Sequence, residues 1–131
     1  MLKTKDIKQG LMIKASPHDI YEALMDSKKH AAFTGAGAKI SREVGGVFTA
    51  HDGYIEGTNL ELVKDKKIVQ RWRGSDWPAG HFSTVTYLLK PTEGGTKLMF
   101  SQKGVPTDQV KNISDGWKEY YWTPLKAMLE Q

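Results

Sequence analysis

Two spacings of apolar side chains alternate along the chain, and the places where one gives way to the other divide it into elements. Residues 7–15 mix apolar and polar side chains as a first strand does. Ser16-Pro17-His18-Asp19 then predicts a helix start: a serine at the N-cap, a proline at the first helical position, and an acid three residues after the cap, where it suits the unpaired amides. Ile20, Ala23 and Leu24 give that helix an apolar face. A second short helix is expected from Ser27, carrying Ala31, Ala32 and Phe33 until Thr34-Gly35-Ala36-Gly37 breaks it.

From Lys39 the period shortens to two, with turn chemistry at Gly45-Gly46, Asp52-Gly53, Asp65-Lys66-Lys67 and Glu93-Gly94-Gly95. The pattern predicts strands over 47–51, 54–63, 67–74, 81–90 and 96–104. Val85, Tyr87 and Leu89 fall on one face of their strand, and Leu98 and Phe100 on one face of theirs; these faces are expected to line the inside. The chain closes with a helix from Thr107 or Asp108 to Glu130, in which Val110, Ile113, Trp117, Tyr120, Tyr121, Leu125 and Met128 recur at steps of three and four. Such a helix is roughly 33 Å long, and six or seven strands about 4.8 Å apart span a similar distance. The helix therefore reaches across the whole sheet. Pro124 takes away one intrahelical hydrogen bond and predicts a bend near Tyr120. Gly116, next to Trp117 on the inner face, is read as letting helix and sheet approach closely.

The expected fold class is α+β: a curved antiparallel sheet of six or seven strands wrapped around a long C-terminal helix, with two short helices after the first strand. A chain of 131 residues suits a single domain, 1–131. Four tryptophans and five tyrosines argue for a packed core rather than disorder. The lack of cysteine excludes disulfides, thiolate zinc sites and cysteine nucleophiles, and suits the cytoplasm. The apolar run Gly10-Leu11-Met12-Ile13 is too short for a membrane span, so none is expected. A net charge of +4 permits acidic partners, but the lysines are scattered and no nucleic-acid-reading motif accompanies them, so no nucleic-acid partner is expected.

His18, His30, His51 and His81 lie on different elements without the i, i+4 pairing of a helical metal site, so no metal is expected. No nucleophile elbow is present, and Glu56 and Glu61 have no fixed acid/base relation. The glycines fall at hairpin turns rather than in a phosphate-binding loop, so no cofactor is expected. His81 follows Trp77-Pro78-Ala79-Gly80 and opens a strand, which makes it a candidate for a cavity mouth. Arg71 and Arg73 flank Trp72 and give that strand a cationic outer face.

The most distinctive segments are Ile68-Val69-Gln70-Arg71-Trp72-Arg73, Trp77-Pro78-Ala79-Gly80-His81-Phe82 and Gly116-Trp117-Lys118-Glu119-Tyr120-Tyr121-Trp122, together with Phe33-Thr34-Gly35-Ala36 and Gly45-Gly46-Val47-Phe48. In that order and spacing they resemble the domain family named for the activator of heat shock protein 90 ATPase. The similarity is to the C-terminal domain of the eukaryotic activator, within the START-like, birch-pollen-allergen superfamily with the helix-grip fold, and it runs from about Ile7 to Leu129. The eukaryotic activator's N-terminal domain, which makes its principal chaperone contact, has no match within these residues.

The resemblance implies a cavity between sheet and C-terminal helix, with Trp72, Tyr87, Phe100, Trp117, Tyr121 and His81 as ligand-binding candidates. The function it implies is a non-catalytic binding module, acting as a chaperone-associated regulator or as a binder of a small hydrophobic ligand. Its partners would accordingly be a heat shock protein 90-type chaperone or that ligand. The alternative is a START-like enzyme of the cyclase or hydrolase type, with Arg73, His81 or His51 as polar groups at the cavity mouth.

Overall fold

The structure is a computed structural model that describes residues 2–131. Strand β1 (Thr4–Ile13) precedes helices α1 (Pro17–Met25) and α2 (Ser27–Thr34), and β2 (Lys39–Ile40) and β3 (Val47–Ala50) follow. Next come β4 (Ile55–Val63), β5 (Lys67–Gly74), β6 (Ser83–Thr92) and β7 (Gly95–Pro106). All seven strands form one antiparallel sheet in the order β1-β7-β6-β5-β4-β3-β2, so only β1 is out of sequence and pairs with β7 at the far edge. The α+β class and the antiparallel sheet match the sequence pattern.

The helix starts are built from the residues expected to build them. Ser16 Oγ accepts the Asp19 amide, and Asp26 does the same for Lys29 at the start of α2. Gly35 closes α2 in the left-handed region, where a side chain would be strained. Some strands depart from their expected bounds: the strand expected over 96–104 runs from Gly95 to Pro106, and β6, expected over 81–90, starts at Ser83 and runs on to Thr92. His51 is not in a strand. It opens a short 3-10 turn, His51–Gly53, in which His51 and Asp52 both take positive φ (50° and 56°). The turn is clamped by Asp52, whose amide donates to Gly37 O while its carboxylate accepts the Gly37 amide.

The inner face of the sheet carries the core. Val85, Tyr87, Leu89, Leu98 and Phe100 are buried there, as period two requires, beside Ile68, Trp72 and Phe48. Over this face runs the C-terminal helix, residues 107–129, which is 23 residues long. It consists of a 3-10 turn (Thr107–Gln109), α3 (Val110–Gly116), a π-helical stretch (Trp117–Trp122) and α4 (Thr123–Leu129).

The disturbance expected at Tyr120 takes the form of this π stretch. Pro124 has no amide hydrogen to give to the carbonyl one turn back, and the Thr123 amide instead donates to Lys118 O, five residues earlier. The wider turn changes which residues face the sheet. Tyr120, placed by the three-and-four spacing on the apolar face, is 50% exposed, while Trp122, outside that spacing, is buried.

Three polar side chains tie this helix to the sheet. Buried Gln102 accepts Trp117 Nε1–H at 2.8 Å and donates to Ser83 Oγ at 2.9 Å, and Ser83 in turn donates to Trp72 O. Gln9 on β1 accepts Trp122 Nε1–H at 2.6 Å and donates to Ser114 O. Buried Gln102 and half-buried Gln9, each with both amide atoms paired, hold one relative position of helix and sheet, because a shift leaves a desolvated donor or acceptor.

Candidate functional site

Between the first half of the C-terminal helix and the β3–β5 end of the sheet lies a cleft of about 340 Å³. Its helix side is made by Gln109, Asn112, Ile113, Gly116, Trp117, Tyr120 and Tyr121, and its sheet side by His51, Tyr54, Ile55, Trp72 and Asp76. The volume lies in the range of small-molecule sites, and so does the character: apolar walls with a few convergent polar groups.

Trp117 is the centre of the wall. Its ring centroid lies 4.4 Å from both Phe100 and Tyr121 and 5.8 Å from Trp72, and it stacks on Trp122 at 5.6 Å. Tilted packing of this kind suits the ring quadrupoles. Of the residues picked from the sequence, Trp72, Trp117 and Tyr121 border the cleft, as does His51, the polar group named for the alternative reading. Tyr87 and Phe100 are not among its lining residues; they back it from the core, packed against Trp117.

His81 stands apart. Its Nε2–H donates to Gly104 O at 2.7 Å and its ring packs on Trp77, so it fixes a loop instead of opening into the cleft. Arg73 is equally committed: its guanidinium donates to the carbonyls of Trp77, Pro78 and His81 and pairs with Glu56, which leaves the side chain 12% exposed. The cationic strand face is real, but its guanidinium groups are engaged; Arg71 lies over the Phe82 ring at 4.1 Å.

The residues at the mouth come from segments with no motif of their own. Tyr54 donates its hydroxyl hydrogen to Asp76 Oδ1 at 2.5 Å. Burial first, and then that bond to a carboxylate, push the phenol up to about 12, so it stays a donor at neutral pH. The pair is seated over Gly74, where a Cβ would come within 2.7 Å of the Tyr54 hydroxyl and 3.2 Å of Asp76 Oδ1.

On the opposite side His30 of α2 sits 2.9 Å from the Tyr121 hydroxyl through Nε2, and His51 packs against both Tyr120 and Tyr121. Burial pushes His30 down to about 4 and lowers His51 as well, so both imidazoles are neutral at pH 7. Neither has a carboxylate hydrogen-bonded to its ring among the described residues, and the arrangement that makes an imidazole a strong base is not assembled here. Nor, among the described residues, do three His, Asp or Glu side chains gather as a metal site would need, and no helix is long and apolar enough to cross a membrane.

Gly116 differs from its expected role. A Cβ there would touch nothing but Tyr120 Cδ2 at 3.8 Å, and the sheet does not approach it. Its backbone is ordinary right-handed helix, φ −61°. The missing side chain leaves the cleft open. Gly116→Ala is therefore expected to stabilise the fold by about 0.5–1 kcal/mol in a urea melt, through reduced freedom of the unfolded chain. A loss of stability would restore the close-approach reading.

The chain matches the family described as Activator of Hsp90 ATPase homolog 1-like protein over residues 14–130, nearly its whole length. It belongs to that family. A relative of known role is the human "Activator of 90 kDa heat shock protein ATPase homolog 1", 34% identical over 111 residues, which cover 85% of this chain and 33% of the human protein. The chain thus spans about a third of the length of the curated relatives it matches. Among solved structures, an HSP90 activator from Plasmodium falciparum superposes with a TM-score of 0.89 at 23% identity, covering 94% of both chains. An Aha1 dimer from Colwellia psychrerythraea superposes with a TM-score of 0.83 at 21% identity, covering 96% of both. These two likenesses establish the shared fold of the Activator of Hsp90 ATPase homolog 1-like family in this chain.

Proposed function

We propose that this chain is a non-catalytic, chaperone-associated module that binds an Hsp90-type chaperone and alters its ATP turnover. The observation that carries the reading is the 34% identity over 111 residues with the human ATPase activator. The site chemistry agrees with a binding role. The cleft is walled by aromatic rings, and the imidazoles beside it are neutral and face tyrosines instead of acids. Such a role places the protein in the cytoplasm with its chaperone.

Association is tested directly by titrating the purified chain with an Hsp90-type chaperone and following sedimentation. Saturable binding is expected, weaker at high salt because the net charge of +4 contributes to the encounter. Absence of any complex at high micromolar concentration contradicts the proposal.

A second reading is favoured by the cleft itself: a small hydrophobic ligand held between helix and sheet. Trp72, Trp117 and Tyr121 would contact it, Tyr87 and Phe100 would support them, and His81 would hold the far end of the loop that begins beside Asp76. Tryptophan emission is the readout, since two tryptophans border the cleft. An apolar ligand is expected to change it with a negative heat-capacity change on binding. A diverse apolar library that leaves emission and melting temperature unaltered counts against this reading.

A further inference from the structure

The cleft has a charge asymmetry that a general apolar site would not need. Among the described residues, Asp76 and His51 are the only acidic or basic side chains that border it, and burial lowers the His51 pKa. The other polar groups at the mouth are Tyr54, Gln109 and Asn112, and the walls include the aromatic side chains of Trp72, Trp117, Tyr120 and Tyr121.

Aromatic faces carry negative quadrupole potential and attract cations, more so where water is excluded. Asp76 itself has no lysine, arginine or histidine within ion-pairing distance among the described residues, although the chain carries a net charge of +4. The nearest cation in sequence, Arg73, is spent on Glu56 and three backbone carbonyls. The Tyr54 bond occupies Oδ1 and orients the carboxylate, which leaves Oδ2 free to accept or to face a positive charge. Gly74, whose Cβ would collide with this pair, leaves it the room it occupies.

We propose that the cleft takes a small organic cation: an amine or quaternary ammonium on an apolar or aromatic body. The charged head lies between the Asp76 carboxylate and the faces of Tyr54 and Tyr120, and the body lies against Trp72, Trp117 and Ile113. The inference rests on the ligand-binding reading of the same cleft and adds to it the sign of the ligand's charge. A neutral lipid or an acid would leave Asp76 unpaired or oppose it; a cation answers both the carboxylate and the rings. A volume of about 340 Å³ lies at the small end of ligand sites and suits a ring that carries a short ammonium-bearing chain.

Three probes separate the two claims: benzyltrimethylammonium, its neutral carbon isostere neopentylbenzene, and the anion phenylacetate, each titrated into the full chain with tryptophan emission as readout. The cation is expected to bind about tenfold more tightly than the neutral isostere, as a partly exposed cation–aromatic contact and the Asp76 carboxylate supply together. Asp76→Asn, an exposed change that keeps an oxygen for the Tyr54 hydroxyl, is expected to reduce affinity for the cation about fivefold and leave the neutral probe unchanged. Gly116→Phe, which points a ring into the cleft from a position with open space, is expected to abolish binding of both.

Equal or tighter binding of the neutral isostere, or of phenylacetate, overturns the charge assignment while the ligand reading stands. Cation binding that survives Gly116→Phe overturns the placement in this cleft. Failure of all three probes removes both claims.

Discussion

Replacing Trp117 by alanine is expected to cost about 5 kcal/mol, close to the lower bound of what holds a typical domain together. Trp117 is only 2% exposed although it borders the cleft, and Phe100, Tyr121, Trp122, Trp72 and Tyr87 all pack on its ring. Truncation of a buried aromatic side chain usually costs about 3–5 kcal/mol. Here it also leaves Gln102 Oε1 buried without its donor, a further penalty of about 1–3 kcal/mol. Trp117→Phe keeps most of the ring and loses the N–H, so about 2 kcal/mol is expected from it. Urea melts of both variants check the pair of values. A cost below about 2 kcal/mol for the alanine variant contradicts the place given to Trp117 as the pin between helix and sheet.

Acid should weaken the fold before its carboxylates are titrated. The His30 pKa is depressed to about 4 by burial, assisted by neighbouring His51, against about 6.5 for an unfolded histidine. As pH falls below 6.5 the unfolded chain takes up a proton that the folded chain refuses, so stability falls with pH across the window from 6.5 to 4. The loss is expected to reach about 2 kcal/mol at pH 5 and about 3 kcal/mol once pH is below 4. His51, also lowered by burial, adds in the same direction. His30→Gln, which offers the Tyr121 hydroxyl a polar partner without a titrating ring, should flatten the slope between pH 7 and 5. Equal slopes for wild type and variant would mean that His30 is solvated.

Most of the scaffold was legible because it follows local periods. Val85, Tyr87 and Leu89, with Leu98 and Phe100, declare an inner face by alternation alone, and that face is buried. Ser16 and Gly35 declare helix ends by chemistry that acts within three or four residues. Pairings across the chain leave no such trace. Gln102 and Asn59 look like surface residues until β7 and β4 place them inward, where Trp117 and Gln70 complete their hydrogen bonds.

The π stretch was half legible. Pro124 announces a missing bond near Tyr120, but nothing local says whether the helix bends or widens, and widening exchanged Tyr120 for Trp122 in the core. Asp76 was illegible as a cleft residue, since an aspartate in a Gly-Ser-Asp-Trp turn reads as turn chemistry. Only the fold brings it to Tyr54, twenty-two positions away. His30 and Tyr121 likewise meet across ninety-one positions.

The most direct test of the proposed role is the ATP turnover of a purified Hsp90-type chaperone as this chain is titrated in, read alongside turnover with the chain alone. A saturable change in the chaperone's rate, with no hydrolysis by the chain itself, is the predicted result. A rate that stays constant up to high micromolar chain, or hydrolysis by the chain alone, would contradict a non-catalytic chaperone regulator.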